Sequence, residues 1–332
     1  MYKRRRTTMP ALPTQPDESD EAIVGSRFAT IRESPFYRGL VTGSDDSTAI
    51  IFISNEQLAL LQPSQIIHMD STFHVVPALY YQLFTIFTQH SDHIFPVFFA
   101  LMTRKSTDLY QAVLQKLHEI APEFKPTQVI ADYEEAPVSA VRSVFGNDVI
   151  ASGCWFHYAQ AMIRKLRKLG LTDAYRNDPD SKAILGGLVS LSLLPVDDIA
   201  AAFGELRALV KPDTSSRVKL EQMMRYVERQ WLTKATVGPA RISVRDNPSR
   251  TNNAVESFHA ALRRRIQVPH PNLFSFLGHL QRTTVDCMTE VSRIDRGMTI
   301  RRAKKHVNLV NDARIKPAYE DTTMGRTLGY SS

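Results

Sequence analysis

Three short runs rich in β-branched and aromatic residues follow one another closely, and they constrain the fold of this chain more than any other feature. They are Ile66–Phe73, Tyr80–Thr88 and Phe95–Met102. Residues of these types favour β-strands. The stretches between them are turn-forming and too short for the crossover that parallel neighbours need. The pattern therefore predicts three antiparallel strands joined as a meander.

Strand and helix patterns alternate after this meander. The periodicity predicts a helix over Asp108–Ile120 with Thr107 as its N-cap, a strand over Pro126–Ala131, a helix over Ala136–Phe145, a short strand over Asp148–Ser152 and a helix over Cys154–Leu169. Antiparallel strands followed by βα units are typical of an α/β sheet with a mixed edge. The element order is that of a ribonuclease H-like fold.

The chain divides into six segments by composition and periodicity. Residues 1–25 are expected to be a disordered basic and polar tail, since they lack a hydrophobic period, and residues 26–65 a lead-in. The core is expected over 66–170, an all-helical insertion over 171–245, the last part of the core over 246–285, and a basic tail over 286–332. Predicted elements outside the first part of the core are a strand Ala49–Ser54 and helices Asn55–Leu61, Ala183–Leu194, Val196–Val210, Arg217–Leu232, Ala254–Arg265 and Leu273–Val285.

Charge and cysteine content narrow the class of protein. The 332 residues carry a formal net charge of +7, which favours an anionic partner, nucleic acid first. Two cysteines, Cys154 and Cys287, exclude a disulfide framework and fit a reducing compartment. No apolar run is long enough to cross a bilayer, and the N-terminus has no apolar core typical of a signal peptide, so we expect a soluble intracellular protein. The basic cluster Lys3–Arg6 is compatible with a nuclear localisation signal, a phosphate-contacting arm or a solvated tail.

Three acids stand in positions that suit metal chemistry. Asp70 lies in the first core strand and Asp132 at the end of the fourth, and these strands are neighbours in a ribonuclease H-like sheet. Glu256, on a later helix, can complete the site. Three carboxylates suit Mg²⁺ or Mn²⁺ rather than zinc, and two such ions can activate a water or a 3′-hydroxyl. Taken singly, an aspartate at a strand end is usually a turn or cap residue and a glutamate on a helix usually lies on a solvated face, so the three acids indicate a site only together.

Six stretches in order carry a resemblance to a known family. They read IIHMDSTF followed by VVP, YYQLFTIF, FPVFFALMTRKSTDLY, VIADYEEA, GCWFHYAQAMIRKLRKLGL, and RTNNAVESFHAALRRR followed by HPN. From about Ser54 to Gln281 the sequence resembles the transposase domain of Mutator-like elements, the MULE transposase domain. Ser71 stands where the family has a glycine. The family's helical insertion corresponds to residues 171–245.

The resemblance implies a DDE-type transposase, which cleaves DNA and transfers strands in the nucleus. It places the acidic triad on Asp70, Asp132 and Glu256, as ligands of two Mg²⁺ or Mn²⁺ ions. The implied partner is double-stranded DNA, as transposon ends and as target. Because transposition joins two ends, a homodimer is expected.

Several further residues are candidates for a functional role, and for some of them a purely structural role is an alternative. The family's Cys-x-x-His pair falls on Cys154 and His157, which implies a structural or DNA-positioning role with or without a metal, or else a packed thiol beside a hydrogen-bonded histidine. His259, one turn after Glu256, is a further candidate for a site. Possible phosphate contacts are Arg250, Arg263, Arg264, Arg265, Arg104 and Lys105. A solvated basic face explains the first four equally well.

No Cys/His zinc pattern precedes the core, where family members often carry a DNA-binding module. Two functions of different class therefore stay open. One is an active, metal-dependent transposase. The other is a truncated or domesticated derivative that binds DNA or chromatin without catalysis. A general ribonuclease H-like nuclease is a third reading.

Overall fold

A computed structural model describes residues 10–212, 216–234, 236–245, 247 and 253–300. It divides the chain into two units, Met1–Met288 and Thr289–Ser332. The first unit holds the sheet and all but one of the described helices in full. The second is represented by residues 289–300, which include the end of the last helix.

A seven-stranded mixed sheet forms the centre of the first unit, beside a small hairpin. The strands are β1 (Thr30–Ile31) and β2 (Ser34–Pro35) in the hairpin, and β3 (Tyr37–Thr42), β4 (Thr48–Phe52), β5 (Ile66–Thr72), β6 (Gln82–His90), β7 (His93–Met102), β8 (Gln128–Ala131) and β9 (Ile150–Gly153) in the sheet. The sheet order is β3-β4-β7-β6-β5-β8-β9. Strands β5, β6 and β7 pair antiparallel, whereas β8 and β9 continue parallel to β5. The predicted α/β class and ribonuclease H-like strand order are confirmed.

Helices surround the sheet and form the insertion. In chain order they are α1 (Glu18–Ile23), α2 (Asn55–Leu61), α3 (Thr107–Ile120), α4 (Glu135–Phe145), α5 (Trp155–Lys168), α6 (Thr172–Asn177), α7 (Pro179–Ser190), α8 (Val196–Ala208), α9 (Arg217–Val227), α10 (Gly238–Ile242), α11 (Asn253–Ile266) and α12 (Leu273–Asp295). A 3₁₀ turn covers Leu191–Leu193 and a π-helical turn Glu228–Leu232. The described elements between 171 and 245 are all helical, as predicted for the insertion.

Both faces of the sheet are buried, which explains why β6 and β7 read as continuous apolar runs rather than alternating ones. On one face, Met69 and Phe98 pack with α3 and α4. On the other face, Phe87 and Phe99 pack with apolar residues of α11 and α12. Helix α11, which carries Glu256, is thereby laid across the sheet.

A separate apolar cluster holds the helical insertion together. Tyr158 and Met162 of α5 pack in it with Leu188 of α7, Val227 of α9 and Trp231 of the π-helical turn. The Tyr158 hydroxyl donates to the Leu188 carbonyl oxygen at 2.8 Å. The insertion is therefore anchored on α5, the helix that leaves the sheet after β9.

Three details at the start of the chain correct the predictions. Residues 1–25 are not disordered throughout, because Glu18–Ile23 forms α1 and buries Ser19 and Ile23; the basic cluster Lys3–Arg6 lies outside the described residues. The lead-in contributes β3 to the main sheet, a strand that the sequence did not predict. The N-cap of α3 is Ser106 rather than Thr107, since its hydroxyl accepts from the Leu109 N–H at 3.3 Å.

The end of the chain differs too. The expected boundary between core and tail at residue 286 is wrong, because α12 continues without a break to Asp295. The rest of the expected tail, from residue 301, lies outside the described residues. Among the described helices, none combines the length and the apolar character needed to cross a membrane.

Candidate functional site

Strand pairing brings Asp70 and Asp132 to neighbouring positions. The parallel register between β5 and β8 pairs Ile66 with Gln128, Ile67 with Val129 and His68 with Ile130. Extending this register by two residues places Asp70 beside Asp132, on the same face of the two strands. Both side chains line one small cavity, together with Glu134 and Phe73. The predicted meeting of the two acids at one edge thus follows from backbone geometry.

The environment of Asp132 disfavours its charged form. Burial raises its pKa to about 6, and the negative charges of Glu134 and Asp70 act in the same direction. The Glu134 N–H, which donates to Asp132 Oδ1 at 3.0 Å, and the charge of His157 oppose the rise. A carboxylate crowded by other carboxylates in this way is stabilised by a cation.

Glu134 is a member of this cluster that the sequence did not single out. Its carboxylate forms an ion pair with Lys105, which follows β7. The pair lies at the rim of the cavity, with 30% and 35% of the two side chains exposed. Lys105 therefore brings a positive charge to the edge of the acid cluster. The stretch VIADYEEA contains the signal for Glu134, an acid two residues after Asp132.

Arg241 of α10 holds the loop that carries Asp132. Its guanidinium donates from Nη2 to the carbonyl oxygens of Asp132 and Glu134, each at 2.8 Å, and from Nη1 to that of Thr236 at 2.9 Å. The residue is 5% exposed. A buried arginine that satisfies backbone carbonyls fixes their positions. The helical insertion thus contacts the candidate site through Arg241, a contact that no sequence pattern indicated.

Tyr133, between the two acids of the loop, packs against the insertion and the sheet. Its ring meets that of Trp231 edge to face at a centroid distance of 4.7 Å, and the Arg241 guanidinium lies 5.8 Å from the ring centre. On the sheet side it covers Gly153, where an added Cβ would come within 2.3 Å of the phenol. Gly153 must therefore lack a side chain for Tyr133 to keep its place.

Cys154 and His157 lie beside the acids rather than apart from them. Cys154 is the N-cap residue of α5, and its side chain is buried. Burial alone would lower the pKa of His157, but a hydrogen bond and charge from Cys154, with the charges of Asp70 and Asp132, raise it to about 9. At neutral pH the imidazolium therefore offsets part of the negative charge. The role of the pair in positioning DNA stays a prediction.

Helix α11 brings a histidine to Asp70. His259 Nε2 lies 3.2 Å from Asp70 Oδ2, and both side chains are largely buried. The ring nitrogens do not meet hydrogen-bond geometry with any partner, so the contact is close in distance and poorly aligned. Glu256 is half-buried one turn earlier, and residues three apart lie on the same side of a helix. His259 thus joins α11 to one of the two sheet acids.

A full protein cage for a metal is not formed within the described residues. They include no group of three or more His, Cys, Asp or Glu side chains with the spacing to hold one ion. Mg²⁺ typically takes one or two carboxylates and completes its shell with water and phosphate oxygens. The carboxylates of Asp70 and Asp132 match this coordination preference of Mg²⁺, and they do not match a zinc site with four protein ligands. Glu256 as a third ligand stays a prediction.

The predicted phosphate contacts have different surroundings. Arg263 and Arg264 are exposed on α11. Arg265 is engaged within the protein, where it donates to Thr283 Oγ1 at 3.2 Å and to Asp286 Oδ2 at 2.5 Å. Arg250 lies outside the described residues. Arg265 is therefore the least available of the three described arginines for a ligand.

A family model matches part of the chain. Residues 66–161 match the family model of the MULE transposase domain. The matched segment runs from the first residue of β5 into α5, so it includes Asp70, Asp132, Cys154 and His157. The resemblance to this family is confirmed over these residues.

One solved structure and one search without result complete the comparisons. The Drosophila P element transposase strand transfer complex aligns with 72% of this chain and 82% of its own, at 10% sequence identity and a TM-score of 0.38. No curated protein sequence matches the chain.

Proposed function

We propose that this chain is a MULE-type DDE transposase domain that cleaves DNA and transfers strands in a metal-dependent reaction. The observation that carries the proposal is the placement of Asp70 and Asp132 by one parallel register, on one cavity, inside the segment that matches the MULE transposase domain. Phosphodiester chemistry needs negative oxygens to be neutralised and a nucleophile to be activated. Two carboxylates that line one partly buried cavity suit that task.

The cofactor is proposed to be Mg²⁺ or Mn²⁺, held by Asp70 and Asp132 with Glu256 as the predicted third ligand. The raised pKa of Asp132 supports this assignment, because it reflects burial first and then the nearby negative charges of Glu134 and Asp70, which a cation would offset. When bound, such ions supply Lewis-acid stabilisation and an activated water or 3′-hydroxyl. Their hard oxygen donors are the carboxylates of the sheet.

The other residues of the cluster orient the acids. Arg241 holds the backbone on both sides of Tyr133 and so sets the position of Asp132. His259 stands against Asp70 and is placed to hold that carboxylate in one rotamer. Lys105, at the rim, offers a positive charge to an incoming phosphate while it pairs with Glu134.

The proposed partner is double-stranded DNA, as transposon ends and target, and the proposed location is the nucleus. The net charge of +7 supports an anionic partner. The exposed Arg263 and Arg264 are placed on the same helix as Glu256. A homodimer is proposed because strand transfer joins two ends.

A nicking assay tests the proposal. The purified chain is incubated with supercoiled plasmid and Mg²⁺, Mn²⁺ or EDTA, and a duplex with a pre-cut 3′-hydroxyl is added to detect joining. We expect metal-dependent nicking that Asp70→Asn and Asp132→Asn each abolish. Asp92→Asn is the matched control, because Asp92 is exposed in the turn between β6 and β7, and it should nick as the unchanged chain does.

The assay also separates the competing functions. Nicking without joining of the 3′-hydroxyl donor would favour a general nuclease. DNA binding without nicking, or equal nicking by Asp132→Asn, would overturn the enzyme and favour the derivative that binds DNA or chromatin. The absence of a three-ligand group among the described residues is the observation that keeps this second function in view.

A further inference from the structure

Two exposed aromatic rings stand together beside the candidate site. Phe73 follows β5 directly and Tyr81 precedes β6 directly, and they are 37% and 53% exposed. Their ring centroids lie 5.3 Å apart with the planes at 68°. The Tyr81 N–H donates to the Met102 carbonyl oxygen at 2.8 Å, so its backbone is tied to the sheet. We call Phe73 and Tyr81 the aromatic shelf.

Cations and hydroxyls border this shelf. The Lys105 ammonium lies 5.6 Å from the centre of the Phe73 ring. Arg104 is exposed next to it. Tyr81, Arg104 and Lys105 line one surface cavity, to which Ser106 also contributes. Aromatic faces interleaved with Lys and Arg are the surface that unpaired nucleic acid strands bind.

The shelf is continuous with the acids. Phe73 lines the cavity that holds Asp70 and Asp132, three residues after Asp70 in the chain. Lys105 connects the two places, since it contacts the Phe73 ring and pairs with Glu134 of the same cavity. A DNA strand whose phosphate reaches the acids would therefore pass its neighbouring nucleotide over the shelf.

We propose that the aromatic shelf binds an unpaired nucleobase of the DNA strand whose phosphate lies at Asp70 and Asp132, with Arg104 and Lys105 on the adjoining phosphates. This inference rests on the proposed function and specifies the form of its substrate. A base within an intact duplex has both faces covered by its neighbours, so only a base that has left the stack can use the ring of Phe73 or Tyr81. Stacking of this kind is tolerant of sequence, because every base has a π-face.

Binding of labelled duplexes to the Asp132→Asn chain in EDTA tests the inference without cleavage. Three duplexes are compared: a blunt end, an end with one unpaired thymidine, and the same end with an abasic residue. We expect the unpaired thymidine to bind about 10-fold more tightly than the abasic residue, the range that stacking on an aromatic side chain supplies. Phe73→Leu and Tyr81→Leu should each remove most of this difference, and Phe73→Trp should keep it.

Tyr175→Leu is the matched control, because Tyr175 is 39% exposed on α6 in the helical insertion. It should leave the preference for the unpaired base unchanged. Equal affinity for thymidine and abasic ends, or an unchanged preference in Phe73→Leu, would overturn the shelf while DNA binding and nicking by the unchanged chain leave the proposed function standing. Failure to bind any of the three duplexes would overturn both.

Discussion

The two sides of the candidate site are held by different kinds of contact. On the sheet side, backbone pairing of β5 with β8 sets a register that, extended by two residues, brings Asp70 beside Asp132. On the helix side, α11 is held by apolar packing of Val255, Phe258 and Leu262 against the sheet. Strand pairing specifies neighbours one by one, whereas packing specifies a helix face that spans several residues. The positions of the side chains on the sheet side are therefore specified more precisely than those on the helix side.

Glu256→Gln is the substitution that tests the helix side most severely. We expect it to lower the metal-dependent nicking rate by about a thousand-fold or more, because loss of a metal-binding carboxylate removes several kcal/mol of transition-state stabilisation. The nicking assay measures this, with the exposed Glu123→Gln as control. Nicking at the unchanged rate would show that the sheet-side acids suffice and that Glu256 is no ligand.

Arg241→Met tests whether the sheet side depends on the insertion. It leaves three partly buried carbonyl oxygens without their buried donor, so we expect the free energy of unfolding to fall by about 3 kcal/mol. Chemical denaturation measures this, and the nicking rate is taken at a temperature where the variant is folded. Arg241→Lys should recover part of the stability and less of the rate, since lysine lacks the planar fork.

Arg229→Met serves as the control for Arg241, because Arg229 is exposed on the π-helical turn of the same insertion. It should change neither stability nor rate. If folded Arg241→Met nicked as fast as the unchanged chain, the loop around Asp132 would hold its shape without the insertion, and the sheet side would be self-sufficient.

His259→Gln should have a smaller effect on activity. A group that orients a metal ligand without binding the metal typically contributes 10- to 100-fold, so we expect the nicking rate to fall by about that factor, with a weaker apparent affinity for Mn²⁺. A titration of the rate against Mn²⁺ concentration separates the two effects. If His259→Gln lowered the nicking rate as much as Asp70→Asn does, His259 would take part directly in the reaction, and the helix side would supply a catalytic residue.

The last expected effect is on stability rather than on the nicking rate, and it comes from Asp132→Asn without metal. The native pKa of about 6 lies above the ordinary 3.8, so the proton of Asp132 stabilises the folded chain at low pH, and this contribution is lost as the pH rises through about 6. At pH 8 in EDTA, Asp132→Asn should raise the free energy of unfolding by up to about 3 kcal/mol. The gain should shrink toward pH 4.

Thermal melts across this pH range, with Asp92→Asn as the control, check the sign. Mg²⁺ should raise the melting temperature of the unchanged chain and leave Asp132→Asn unaffected, because binding to the folded state stabilises it. If the gain in unfolding free energy did not change with pH, the pKa of Asp132 would not be raised in the folded chain.

The contrast between the sheet side and the helix side also explains which features could be predicted from the sequence. The β5–β9 order follows from local patterns, and those patterns also fixed where Asp70 and Asp132 stand. Strand β3 escaped notice because it is short, contains Gly39 and carries a register shift between Tyr37 and Gly39. A local pattern with a glycine and polar residues gives little strand signal.

Long-range contacts could not be predicted for a different reason. The approach of His259 to Asp70 depends on the rotation of α11 about its axis, which apolar spacing fixes only to a face. The bonds from Arg241 to the loop around Asp132 join residues 107 and 109 positions apart. No local periodicity encodes such a pair, and a buried arginine in a helix of five residues has the sequence signal of a surface one.

The close packing at Gly153 has a consequence for how the sequence of such a chain can change over evolutionary time. Tyr133 is pressed between Trp231 and Gly153, so a single methyl group at 153 would push the phenol ring and the loop beside it away from β9. Such a chain would keep every carboxylate of the proposed triad and still lose their alignment. A survey of related sequences that scores only the three proposed acids would therefore overlook this change, and the residue at position 153 should be scored with them.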